Sequence, residues 1–148
     1  MTLCDAGPLV ALADRDEPAH SACAAALAHL SAPLLTTWAA FTEAMYLVGD
    51  SREWAGQDAL WTLVERGDLQ VAAPDFEDLR RLRDLMAKYR DLPMDLADAT
   101  LIVAAEKRRL RRVFTLDGHF LPDVRRRPPG GRTLSGGPGL ASAYSGAG

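Results

Sequence analysis

The segment PMDLADATLIVAAEKRRLRRVFTLD, Pro93 to Asp117, reads as a helix followed by a strand, with acids at the start of one and the end of the other. Asp95 and Asp98 fit a helix start: an Asp at the N-cap accepts bonds from free amides, and an acid three residues on suits the helix dipole. Counting along the helix, Asp98 shares a face with Ile102 and Ala105, so it is directed toward packed structure. RVFTLD then carries the β-branched and aromatic residues of a short strand ending at Asp117.

The same alternation extends outward along the chain. TLCD is a short buried strand ending at Asp5; AGPLVALAD and PAHSACAAALAHL look helical; APLLTT, Ala32 to Thr37, is a second strand. Trp38 to Val48 carries apolar residues on every side, which predicts a buried helix stopped by Gly49 and Asp50. EWAGQDALWTLVER is a further amphipathic helix, ended by Gly67 before the strand LQVAA. From Asp75 to Tyr89 a stripe of Phe76, Leu79, Leu82, Met86 and Tyr89 predicts a surface helix with one buried side. Strands alternating with helices predict an α/β fold, a central parallel sheet flanked by helices on both faces with right-handed crossovers. The expected domain covers residues 1–127. Residues 128–148 are rich in Pro, Gly and Ser, and a flexible tail is expected there.

With 148 residues, 48% of them hydrophobic, the chain is sized for one domain with a real core. Apolar runs are too short for a membrane span, and no basic leader precedes the N-terminal apolar residues, so a cytoplasmic protein is expected. Two cysteines, Cys4 and Cys23, are read as buried thiols. The net charge of −3 is unevenly spread: residues 107–148 hold 9 basic and 2 acidic side chains, whereas residues 1–106 hold 8 and 18. Arginines in EKRRLRR, Glu106 to Arg112, and RRR, Arg125 to Arg127, suit bidentate phosphate contacts, although a solvated helix end and tail explain them equally well.

In an open parallel sheet, ligands bind beyond the carboxyl ends of the strands. Asp5, Asp98 and Asp117 fall at that edge. Glu43 lies within one and a half turns of the start of the helix after the second strand, and it is the only charged residue between Pro33 and Gly49. Four carboxylates directed at one edge repel one another unless a divalent cation neutralises them. An all-oxygen donor set without clustered His or Cys selects Mg²⁺ or Mn²⁺ over Zn²⁺. His119 is read as an exposed turn residue and His20 as part of a helix start.

These four acids, in their local sequences, resemble the motifs of the PIN-domain ribonucleases, and within them the VapC-like toxins of toxin–antitoxin pairs. LCDAGPLVALADRDEPAH is similar to the opening segment with Asp5; TEAMYLV places Glu43; LADATLIVAAE places Asp98; VFTLDGHF places Asp117. The resemblance covers most of residues 2–121. It implies a PIN-like three-layer fold and Mg²⁺- or Mn²⁺-dependent hydrolysis of RNA, with Asp5, Glu43, Asp98 and Asp117 as catalytic and metal-binding acids. Asp95 and Thr115 would support them, and Arg108, Arg111 and Arg112 are candidates for holding RNA. A cognate antitoxin is the implied partner. The apolar residues on the helices holding Trp54, Trp61 and Phe76 to Tyr89 suggest a homodimer, with no membrane association.

One position departs from the pattern: many members carry Ser or Thr two residues after the first Asp, where Gly7 stands here. That departure keeps open a non-catalytic PIN-like module that binds RNA or protein. A HAD-like phosphatase also begins with an Asp after a strand, but it needs a second Asp where Gly7 stands, and so lacks its general acid.

Overall fold

The computed structural model describes residues 1–92, 94–116 and 142–145. Its elements follow in the order β1 (Thr2–Cys4), α1 (Ala6–Ala13), α2 (His20–Leu27), β2 (Leu34–Thr37), α3 (Trp38–Glu65), β3 (Leu69–Ala72), α4 (Asp78–Lys88), α5 (Leu96–Arg108), β4 (Arg112–Thr115) and β5 (Ser142–Ser145). The strands form one sheet in the order β3-β2-β1-β4-β5. The first four are parallel, as the alternation predicts, with Leu3 opposite both Leu35 and Val113. Chain direction across the sheet reverses at β1. The β1–β2 and β2–β3 connections move to one side of it, and α4 and α5 carry the chain back to β4 on the other, which makes the β1/β4 boundary the topological switch point.

Strand side chains alternate between two cores. Leu3, Leu35 and Val113 pack with Leu82 and Leu85 of α4 and with Leu101, Ile102 and Val103 of α5. Cys4, Leu34, Leu69 and Phe114 face the other way, onto Leu9 of α1, Cys23 of α2, and Phe41, Val48 and Leu60 of α3. Helices therefore cover both faces in three layers. Both cysteines are buried free thiols, as read from the sequence. Among the described residues no helix is long and apolar enough to cross a membrane.

Three local expectations are corrected. Gly49 and Asp50 do not stop a helix; α3 runs through them and breaks at Glu53, at φ 53° and ψ −143°. The two glycines permit close approach of the segments on either side of that break. A side chain at Gly49 would meet the Gln57 amide nitrogen at 2.7 Å, and one at Gly56 would meet Arg52 Cβ at 2.9 Å and Val48 Cβ at 3.0 Å. The start of α3 is not buried all round either: Ala40, Phe41, Ala44 and Val48 are buried, while Trp38, Tyr46 and Leu47 are exposed. On α4 the buried side is set by Leu82 and Leu85, because this is the line that meets α5, and Phe76, Leu79 and Met86 face outward.

The expectation of a flexible tail is also modified at four residues. Ser142–Ser145 pair antiparallel with β4 in the register Arg112↔Ser145 to Thr115↔Ser142. Without them β4 would present an unpaired edge of backbone donors and acceptors. The rest of the expected tail, and Arg125 to Arg127, lie outside the described residues.

Candidate functional site

Asp5 is the first residue after β1 and the N-cap of α1, in extended backbone geometry at φ −80° and ψ 169°. One carboxylate oxygen accepts from the Ala6 amide at 2.7 Å, and the other accepts from the Thr115 hydroxyl at 3.0 Å. Its own amide donates to the Phe114 carbonyl at 3.0 Å. The acid is therefore fixed across the switch point by the strand on the other side. Thr115 is buried at the end of β4, so its hydroxyl has a defined direction.

Asp95 and Asp98 do form a helix cap, and it is reciprocal. Asp95 Oδ1 accepts from the Asp98 amide at 2.9 Å, and Asp98 Oδ2 accepts from the Asp95 amide at 3.1 Å. The cap does not exhaust Asp98's environment, however. Its carboxyl is pushed up to about 6, first by burial, then by the negative charges of Asp95, Asp5 and Glu43, with the Asp95 amide pulling the other way. Glu43 projects from α3 as an exposed residue, yet its carboxyl too is raised, by partial loss of hydration and then by Asp95 and Asp5. Asp5, Glu43, Asp95 and Asp98 thus share one electrostatic neighbourhood at the carboxyl edge. Glu43, Asp95 and Asp98 form no ion pair with Lys or Arg among the described residues.

Oxygen donors with unneutralised negative charge match the chemistry of a hard divalent cation. Among the described residues, however, no group of three or more His, Cys, Asp or Glu side chains is arranged to hold a metal ion. Asp117, the fourth expected acid, and His119 lie outside the described residues.

The structure adds a link that the motifs did not indicate. The Thr37 hydroxyl, N-cap of α3, lies 2.7 Å from that of Thr100, whose Oγ1 donates to the Ala97 carbonyl at 2.8 Å. This buried pair ties the helix bearing Glu43 to the second turn of the helix bearing Asp98. A Thr at a strand–helix junction was the available signal.

The arginines fall elsewhere. In α5, Arg108 is ten residues beyond Asp98, about 15 Å along the axis, and Arg112 begins β4 at the end of the sheet opposite Thr115. They do not rim the acids. Glu106 and Lys107 of the same basic run are engaged with α4: Arg81 grips Glu106 through Nε at 3.1 Å and Nη2 at 2.7 Å, and Lys107 bridges Asp75 at 2.7 Å and Asp78 at 3.0 Å.

The sequence matches the family model of the PIN domain over residues 2–125. No curated protein matches it. Among solved structures, VapC20 of Mycobacterium tuberculosis, described as a toxin that cleaves the sarcin–ricin loop, superposes with a TM-score of 0.74 at 13% identity, over 81% of this chain and 92% of that one. At that identity the likeness is one of fold.

Proposed function

The chain belongs to the PIN-domain family, and from that membership we propose that it is a divalent-cation-dependent endoribonuclease acting as the toxin of a toxin–antitoxin pair. What supports the reading is the shared electrostatic neighbourhood of Asp5, Glu43, Asp95 and Asp98, in which burial first and then the neighbouring charges raise the Asp98 and Glu43 carboxyls. Asp5, Glu43 and Asp98, with Asp117, would hold Mg²⁺ or Mn²⁺. When bound, the ion supplies Lewis acidity at the phosphate and acidifies the attacking water.

The protein's own contribution is preorganisation. Ala6 and Thr115 hold the two oxygens of Asp5, the cap with Asp95 sets the rotamer of Asp98, and the Thr37–Thr100 pair fixes the helix carrying Glu43 relative to α5. Ionised carboxylates at this edge also repel RNA phosphates until a cation is present, so cation and substrate binding are coupled.

The proposed partners are RNA and a cognate antitoxin, and a homodimer is supported by outward-facing Tyr46 at 74% and Trp54 at 65% exposure. Gly7, which offers no hydroxyl beside Asp5, favours the second reading, a non-catalytic module binding RNA or protein. Purified protein incubated with RNA in Mg²⁺, in Mn²⁺ and in EDTA separates the two. The nuclease reading expects cleavage with either ion, none in EDTA, and loss of at least a hundredfold in turnover for Asp5→Asn and Asp98→Asn. Cation-independent cleavage, or cleavage unaffected by both substitutions, would overturn it.

A further inference from the structure

We infer that Arg108, Arg109, Arg111 and Arg112 form an RNA exosite at the edge of the sheet opposite the acids, which selects substrates extending several nucleotides beyond the point of cleavage. The inference rests on the nuclease reading and deepens it by naming the kind of RNA that the site would take. Arg108, Arg109 and Arg111 are exposed and Arg112 is half-buried. None of the four forms an ion pair among the described residues, and Arg112 donates only to the Ser31 hydroxyl at 3.2 Å.

The contrast with their neighbours carries the argument. In the run Glu106 to Arg112, the two residues facing α4 are neutralised by Arg81, Asp75 and Asp78, which clamp α4 to α5. The remaining cations carry no such packing duty. Arg109 stands at the C-cap of α5 in left-handed geometry, and the chain turns there, which spreads the arginines over the helix end and the start of β4. Lys107 and Arg108 also complement the negative end of the α5 dipole. That accounts for charges in the last turn, but not for Arg111 and Arg112 beyond it.

Charge balance points to RNA as the occupant. The chain carries a net −3, and its candidate site gathers like-charged carboxylates that repel a polyanion. Affinity for RNA backbone must therefore come from cations elsewhere, and arginine's planar fork suits phosphate oxygens. Because Arg108 lies about 15 Å from Asp98 along α5, a fragment only long enough to place its scissile phosphate at the acids would not reach it. A longer RNA would engage both edges at once.

The test compares Arg108→Gln/Arg111→Gln, which spares the Arg112–Ser31 bond, with Arg83→Gln/Arg90→Gln, which removes the same charge from α4 and the turn after it. Binding of the full chain to fluorescently labelled RNA is measured in EDTA, so that it does not depend on cleavage. For a roughly 20-nucleotide RNA, the first variant should raise Kd about tenfold and reduce the slope of log K against log salt by about 1.4, two phosphate contacts' worth. The α4 variant should change neither appreciably, and in Mg²⁺ kcat/KM for a dinucleotide, too short to span the roughly 15 Å between Asp98 and Arg108, should be unchanged in both variants. Arg108→Lys/Arg111→Lys should recover most of the salt slope, and matching thermal melts exclude misfolding.

Unchanged binding of the long RNA by the first variant would overturn the exosite, as would an equal loss in the α4 variant. An equal loss of kcat/KM on the long RNA and on the dinucleotide would place the arginines at the cleavage site instead and also overturn it. Displacement of RNA by polyglutamate at lower charge concentration than by competing RNA would reassign the patch to an acidic protein. Failure of the nuclease reading shows separately, as absent cleavage in Mg²⁺ with this binding pattern intact.

Discussion

The Thr115 hydroxyl donates a 3.0 Å hydrogen bond to Asp5 Oδ2, joining residues 110 apart in sequence across the boundary where the sheet changes direction. Replacing Thr115 with Val keeps the β-branched shape of the strand and removes that donor. The expected result is a fall in kcat of about tenfold, equivalent to about 1.4 kcal/mol of transition-state stabilisation, with KM for RNA little changed. Thr115→Ser should restore most of the rate. If Val and Ser variants cleave equally well, the hydroxyl has no part in positioning Asp5.

Asp98 supplies a pH signature. Its carboxyl rises from an ordinary value of 3.8 to about 6 in the folded protein, chiefly through burial and secondarily through Asp95, Asp5 and Glu43. The folded state therefore holds the proton more tightly than the unfolded state between those values. Stability from this group is full below pH 3.8 and is lost as pH rises through about 6. Asp98→Asn keeps an acceptor for the cap and removes the charge, so the metal-free variant should melt above wild type near pH 7 and converge with it near pH 4. The gap should be on the order of 1–2 kcal/mol after solvent screening. Melting curves across that range check the sign, and a variant less stable than wild type at pH 7 would contradict the assigned repulsion.

Helices and strands were legible because hydrophobic period and turn residues agree over most of the chain; Asp5, Asp95 and Asp98 were readable as candidates because each stands at an element start, whereas Glu43, inside α3, stood out only as a lone charge in an apolar stretch. Tertiary contacts were not. Gly49 read as a stop because a glycine after an apolar run usually is one, and only its approach to Gln57 shows it as a packing position. The arginines were readable as candidates for holding RNA, but their distance from the acids was not; a straight helix puts ten residues between Asp98 and Arg108, about 15 Å along its axis. The Thr37–Thr100 link spans 63 residues, and the only local signal for it, a Thr at a strand–helix junction, does not name the partner.

Outward-facing Trp38, Tyr46, Leu47 and Trp54 on α3 give the proposed homodimer a defined test. Large apolar groups exposed close together mark an association surface more often than isolated exposed residues do; Trp38, Tyr46 and Leu47 precede the break at Glu53 and Trp54 follows it. Sizing across a dilution series should show a dimer that dissociates on dilution, and Tyr46→Arg/Trp54→Arg should shift it to monomer at every concentration. A wild-type monomer throughout would remove the dimer from the account.

Gly7 offers the most specific test of how complete the site is. It lies in the first turn of α1, two residues after Asp5, and an added Cβ would meet Leu116 Cδ1 at 3.5 Å and Leu116 Cβ and Cγ at 3.6 Å. Those are ordinary van der Waals distances, so packing does not require glycine here. Gly7→Ala should raise stability by about 0.5–1 kcal/mol through reduced freedom of the unfolded chain and better helix propensity, with no gain in cleavage. Gly7→Ser should match or approach that stability and also supply the hydroxyl that the family resemblance implies at this position, raising kcat roughly three- to tenfold, or about 1 kcal/mol. The comparison isolates the hydroxyl from the backbone effect. Equal cleavage by the Ala and Ser variants would mean that the oxygen is not what the site lacks.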